Sequence, residues 1–326
     1  MEAAVSRPCI ALITDPTSTE GCADYLARAV ELLTGTSPVR VDARHFATGG
    51  SGRGVPAGDR LRLQVPQEGL DLVPDVIVLY EIPPHRRRAL AGFQRLLEHH
   101  DVVTLGTGVA AWRIATRKDL TVDRFRRDDI AHMETVVLSR PGVAEAAAAF
   151  DKLGRDTWAR PVVGTGGDDT FHLTTDGELE RATAFYAERG TDWLLSRDAG
   201  NITADGRRHQ FRVFVLGGRV LHAREHLQSE PDTPCNTCRG AVPVPIAPAD
   251  LHPRLARLAV AATASMGLPF AGVDLAVENG GVVFEVNVQP AFVDGELPTV
   301  AVPYIEAHLN AWAAGRGFRP DTALPA

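Results

Sequence analysis

The chain has 326 residues, which at roughly 150 residues per domain suggests two domains or one large domain with lobes. Its 34 basic and 41 acidic side chains leave a formal charge of −7, a poor match for a general binder of nucleic acid or other polyanions. Hydrophobic residues make up 44% and charged residues 23%, ordinary for a globular core; no apolar run approaches the ~20 residues of a bilayer span, four cysteines make no disulfide scaffold, and the opening Met-Glu-Ala-Ala-Val-Ser-Arg-Pro lacks the pattern of a secretion signal. A cytoplasmic protein that engages neither membrane nor nucleic acid is expected.

In the first third, short apolar runs alternate with helical spacing. Cys9 to Ile13 reads as a buried strand. Glu20 to Leu33 reads as a helix with Tyr25, Leu26, Ala29, Leu32 and Leu33 on one face and Gly35 closing it. Val39 to Val41, Asp75 to Leu79 and Val102 to Leu105 read as further strands, Pro84 to His99 as a helix, and the glycine-rich Thr48 to Gly58 as a loop. Alternating strands and helices favour a parallel sheet covered by helices. Near residues 106–118 the character changes. Val109 to Arg127 reads as one or two helices and Val143 to Leu153 as an alanine-rich one. Trp158 to Val163, the loop Gly164 to Asp169 (GTGGDD) and Phe171 to Leu173 read as a hairpin with a mobile tip. Hairpins dominate the last third. Phe211 to Leu216 and Arg219 to Ala223 flank Gly217-Gly218. A helix runs from Pro253 to Met266, Ala271 to Val277 and Val282 to Val288 flank Asn279-Gly280, and Pro303 to Ala314 is a closing helix.

The last hairpin carries the chemistry. With Asn279-Gly280 as a two-residue turn, Glu278 faces Gly281, Ala276 faces Val283 and Asp274 faces Glu285. Alternation puts Asp274, Glu285 and Asn287 on one face, and Val273, Leu275, Val277, Phe284, Val286 and Val288 on the other. Two carboxylates directly opposite destabilise a sheet unless something compensates, and a hard divalent cation such as Mg²⁺ shared with a phosphate is the simplest compensation. An ordinary solvated hairpin face is the plain alternative. Asn287-Val288-Gln289-Pro290, which breaks the strand just beyond these residues, favours a site.

The segment AGVDLAVENGGVVFEVNVQPAF resembles the closing motif of the RimK-like branch of ATP-grasp ligases, and the order of residues 100–300 is similar to that family. The resemblance implies an ATP-grasp fold of mixed α and β lobes preceded by a parallel-sheet domain. The expected boundaries are 1–107 for that domain, 108–190 for the central lobe with its glycine-rich loop, and 191–326 for the C-terminal lobe with the metal site. It implies that Asp274, Glu285 and Asn287 bind Mg²⁺, with Mn²⁺ as an alternative. The hairpin HQFRVFVLGGRVLHAREH resembles the family's strand pair, which places a phosphate-facing arginine at Arg212 and a basic residue at Arg224 or His226. By simple parity Arg212 lies on one face, and His222 and Arg224 on the other. A surface ion pair is the plain reading of Arg212 alone. CNTCRGA resembles the loop in which an asparagine and a basic residue approach the phosphates, here Asn236 and Arg239. Cys235 and Cys238 invite a zinc or redox reading, but lack the second ligand pair or the strand-to-helix context those need, and read as small loop residues.

Lys118 matches the lysine that opens the family's ATP site, and Arg160 stands where a second lysine is usual. Arginine keeps the charge but is planar and larger. Gly164, Gly166 and Gly167 offer backbone N–H groups to phosphates. Asp168 and Asp169 would repel them, unless they point outward or discriminate an amine substrate. The adenine-contacting segment falls in DWLLSRD, around Leu194, Leu195 and Ser196. The resemblance thus implies ATP-dependent joining of a carboxylate, of an amino acid for instance, to an amine through an acyl phosphate; no serine–histidine–aspartate pattern is present. Peptide or protein modification and a non-catalytic ATP-binding role are the alternatives. Relatives are often dimers or tetramers, so a homo-oligomer stays open.

Overall fold

The computed structural model describes residues 7–100, 102–106 and 108–315. The first residues, in which no secretion signal is read, lie outside the described residues. Two compact units divide the chain. One holds the described residues up to Arg113 and those from Gln289 on; the other is the continuous segment Ile114–Val288.

In the first unit β1 (Ile10–Thr14) is the centre of a parallel sheet, flanked by β2 (Val39–Asp42) and β6 (Val76–Leu79). The runs IALI and VIVL are buried throughout, as parallel strands covered on both faces must be. Helix α1 (Cys22–Thr34) buries Cys22, Leu26, Ala29 and Val30, whereas Leu32 and Leu33 are exposed, so its inward face is rotated from the expected one. Gly35 ends it in the left-handed conformation. At its start the carboxylate of Glu81 accepts the N–H groups of Gly21 and Ala23 (2.9 and 2.6 Å), which are orphan donors of the first turn. The expected helix from Pro84 to His99 is α2 (Pro84–Arg87), a 3₁₀ turn and α3 (Ala91–His99). The expected strand at Val102 to Leu105 is reduced to one parallel bridge, Val103 to Val76.

A second sheet in this unit was not expected. β3 (Arg53–Ala57), β4 (Arg60–Val65) and β5 (Leu70–Leu72) are antiparallel, where Thr48 to Gly58 reads as loop. The signal is in β4: Leu61, Leu63 and Val65 are buried, while Arg60, Arg62 and Gln64 point outward, a period of two.

The second unit opens with α4 (Val109–Thr116), which straddles the division, and α5 (Lys118–Arg127). A four-stranded antiparallel sheet follows, in the order β7 (Thr135–Leu138), β10 (Trp193–Arg197), β8 (Thr157–Pro161), β9 (Phe171–Leu173). Helices α6 (Val143–Lys152) and α7 (Asp176–Glu188) cover one face. Ala159, Leu173, Trp193 and Leu195 share a buried cluster there with Ala146, Phe150, Leu179 and Tyr186. Strand alternation therefore turns Trp158 and Arg160 to the other face.

The second sheet of this unit has five antiparallel strands, ordered β13 (Val242–Ile246), β12 (Arg219–Gln228), β11 (Arg208–Leu216), β14 (Phe270–Ala276), β15 (Val282–Asn287). Helix α8 (Pro253–Ser265) packs on β14, and α9 (Val302–Ala313) closes the chain within the first unit.

Candidate active site

Asp274 faces Glu285 across β14 and β15, and Gly272 faces Asn287, so the three side chains share one face as the alternation requires. The turn is longer than expected. Ala276 pairs with Val282, not Val283, and a 3₁₀ turn Glu278–Gly280 with Asn279 at φ 53° closes the hairpin. The ladder absorbs the difference with a bulge that leaves Phe284 as the extra residue. The bulged Phe284 carbonyl accepts from Arg160 (3.2 Å), so the irregularity joins the two sheets of the unit.

A second bulge corrects the other hairpin. Phe214 pairs with His222 but Val215 pairs with Val220, so Leu221 is the extra residue and Arg212 stands directly opposite Arg224. Arg212, His222 and Arg224 therefore lie on the same face, contrary to simple parity. Arg212 also pairs in register with Asp274 on its other side and donates to both carboxylate oxygens at 2.7 Å. Asn287 donates to Asp274 Oδ2 at 3.1 Å. Arg224 is 1% exposed; its Nε donates to His226 at 2.9 Å and its guanidinium lies over Phe214.

Two cations reach this face from the rest of the unit. Lys118, the first residue of α5, gives its backbone N–H to Val162 and its ammonium to Gly164 O (3.1 Å) and Glu285 Oε1 (3.2 Å). Arg160 arrives from β8 with its Nε sealed from solvent and without a hydrogen-bond partner. Burial lowers its pKa from the ordinary arginine value, and the charges of Glu285 and Asp274 work against that shift. A buried guanidinium with an orphan N–H is a ready anion-binding group. The opposed acids are thus compensated within the protein by Arg212, Lys118 and Arg160. Carboxylate and carboxamide oxygens still form a hard, oxygen-only donor set of the kind that suits Mg²⁺, so the residues present fit that ion.

The glycine-rich loop meets the CNTC loop. Gly166 O accepts from Cys238 Sγ (3.0 Å) and Arg239 Nε (3.4 Å), and Arg239 forms an ion pair with Asp168. Asp168 therefore has a cation partner in the loop opposite. Gly167 has φ +75°, and a Cβ there would lie 2.8 Å from Pro234 and 3.1 Å from the Asn236 amide, so glycine is required for this approach. All four cysteines are free thiols. Burial pushes Cys235 up to about 12, with Asp274 adding to the shift and Arg208 opposing it; burial also raises Cys238. Neither is activated as a thiolate by its surroundings near neutrality.

Leu195 and Ser196 are corrected. They lie mid-strand in β10, paired to β7 on one side and β8 on the other and almost fully buried, so the two ladders take up their backbone groups.

Residues 200–297 match the RimK-like ATP-grasp domain. A probable α-L-glutamate ligase of Citrobacter koseri is 35% identical over 96 residues, a match spanning 29% of this chain and 31% of that protein. D-alanyl-alanine synthetase A of Vibrio cholerae O1 biovar eltor superposes with a TM-score of 0.70 at 16% identity, covering 95% of this chain and 100% of that one. The ATP-grasp ligase PsnB, in complex with a minimal precursor, superposes at 0.66 and 14% identity over 94% and 99%. The D-cycloserine synthetase DcsG does so at 0.66 and 18% over 93% and 99%. The chain has the ATP-grasp fold. No helix among the described residues is long and apolar enough to cross a membrane.

Proposed function

We propose that the protein is an ATP-dependent carboxylate–amine ligase that works in the cytoplasm through an acyl phosphate. The observation that carries this reading is the meeting of Arg212, Asp274, Glu285 and Asn287 on one sheet face with Lys118 and the partly orphaned Arg160. Mg²⁺ bound by Asp274, Glu285 and Asn287 would neutralise charge on the β- and γ-phosphates. Lys118 and Arg160 hold the phosphates from the β8 side. The loops around Gly166 and Asn236 close over them and keep water from the acyl phosphate. Arg212 meets the phosphoryl group as the substrate carboxylate oxygen attacks the γ-phosphorus and ADP leaves, and it then meets the acyl phosphate. Arg224, buried opposite Arg212, is placed to hold the substrate carboxylate. An amine then attacks the acyl carbon, and phosphate leaves. An amino acid supplies the carboxylate in this reading.

The PsnB superposition supports a second reading, in which the amine or acid belongs to a peptide. One experiment tests the class. With ATP, Mg²⁺, an acid pool and hydroxylamine, a ligase of this kind releases phosphate and forms a hydroxamate, and it moves ¹⁸O from a labelled carboxylate into the phosphate. Release of AMP and pyrophosphate, or no nucleotide turnover with any amino-acid or peptide mixture, would overturn it. Mass spectrometry of the products separates free amino acids from peptides.

A further inference from the structure

A second cluster of metal-binding side chains lies at the start of β8. Asp156 precedes that strand, His172 sits in β9 and Asp198 follows β10. One oxygen from each aspartate and one ring nitrogen of His172 lie within 4.8 Å of one another. His172 Nε2 is 2.7 Å from Asp156 Oδ1 and 3.9 Å from Asp198 Oδ2, while Nδ1 is 2.7 Å from Asp232 Oδ1. The ring is further held flat against Trp158, with centroids 4.7 Å apart and planes at 14°. Asp198 is oriented by Trp158 Nε1 (2.6 Å), Arg208 (2.7 Å) and the Gly200 N–H (2.6 Å).

This arrangement needs a positive charge that a neutral imidazole does not supply. A neutral histidine donates from one nitrogen only, yet both ring nitrogens face carboxylates. Three aspartates, Asp156, Asp198 and Asp232, meet one guanidinium, Arg208, so acids outnumber the fixed cation. If Nδ1 donates to Asp232, the tautomer is fixed and Nε2 presents its lone pair to Asp156 and Asp198. A carboxylate behind the far nitrogen is how metal-ligating histidines are usually held. Trp158 and Arg208 both reach Asp198 Oδ2 and the Gly200 N–H reaches Oδ1, so the position left for an ion on Asp198 is on Oδ1.

We propose that Asp156, His172 and Asp198 bind one divalent transition-metal ion of the zinc type. One imidazole and two carboxylates favour such an ion over Mg²⁺. The site is distinct from Asp274 and Glu285; Asp156 precedes Arg160 by four residues, roughly 13 Å of extended strand. A metal here would clasp the ends of β8, β9 and β10, and through Asp232 the loop that leads to Asn236.

The test uses the full chain, stripped with a chelator and free of nucleotide, titrated calorimetrically with Zn²⁺ and followed with Co²⁺ by visible absorption. The expected result is one tight Zn²⁺ per chain, with His172→Gln and Asp156→Asn each weakening it at least tenfold and abolishing the Co²⁺ bands. Asp156 is 59% exposed, so Asp156→Asn keeps the test readable if His172→Gln does not fold. Zn²⁺ binding that is unchanged in Asp156→Asn overturns the proposal. So does a wild-type chain that binds no Zn²⁺, because His172 is then only a hydrogen-bonded clasp between Asp156 and Asp232.

Discussion

Asp274 and Arg212 are both nearly buried, and each depends on the other. Removing one partner of a buried pair leaves an uncompensated charge, which typically costs about 3–5 kcal/mol. Arg212→Met is therefore expected to lose about 3 kcal/mol in urea denaturation at pH 7, because Asp274 then faces Glu285 without its guanidinium. Millimolar Mg²⁺ should return part of that loss if the acids bind the ion, and none if they do not. His308 makes a second residue-scale case. It is fully buried, gives its Nδ1–H to Tyr304 O (2.9 Å) and accepts the Leu105 N–H at Nε2 (3.2 Å), so the neutral ring fits its surroundings. Burial drops its pKa from 6.5 to about 4. Between those values the unfolded chain binds more protons, so stability is full above 6.5 and falls as the pH drops toward 4. Going from pH 7 to 5 should cost the wild type about 2 kcal/mol more than His308→Gln, read from urea midpoints.

At the scale of elements, two extra residues organise the site. Leu221 brings Arg224 opposite Arg212, and Phe284 turns a carbonyl toward Arg160. Deleting Leu221 should flip His222, Arg224 and His226 relative to Arg212, since a one-residue slip exchanges the faces of a strand. Loss of ligase turnover with a retained β-sheet circular dichroism spectrum is expected. Helix α7 starts with a capping box, in which Thr175 accepts from the Glu178 N–H and the Glu178 carboxylate accepts from the Thr175 N–H. Thr175→Ala should cost about 1 kcal/mol in urea. Gly167→Ala must move Pro234 or the loop itself, and is expected to raise the KM for ATP several-fold and to cost about 1 kcal/mol in urea, because alanine is strained at this positive φ.

At the scale of the molecule, every residue of the candidate active site lies in the Ile114–Val288 unit. Binding to the folded state alone raises stability by about 2.7 kcal/mol at a hundredfold excess over Kd. ATP with Mg²⁺ should therefore raise the thermal midpoint, and it should slow amide exchange in residues 160–173 and 234–241. An increase in protection confined to residues 10–79 would place the nucleotide elsewhere. The sheet β3–β5 belongs to the other unit and is expected to keep its exchange rates.

The sequence by itself determined the alternating strands of the first unit, the hairpins of the second and the sharing of one face by Asp274, Glu285 and Asn287. These rest on local periodicity and turn chemistry, which neighbouring residues settle among themselves. The turn at Gly217-Gly218 was legible for the same reason. Only the tertiary structure decided that Leu195 and Ser196 lie inside a doubly paired strand, because pairing on both sides is a long-range fact. Only it showed that two bulges shift the registers, since one extra residue is indistinguishable from its neighbours until a partner strand is laid beside it. The partner of Asp168 and the meeting of Lys118, Arg160 and Glu285 were hidden likewise. Charges separated by 71, 42 and 125 residues find one another only when the sheets pack.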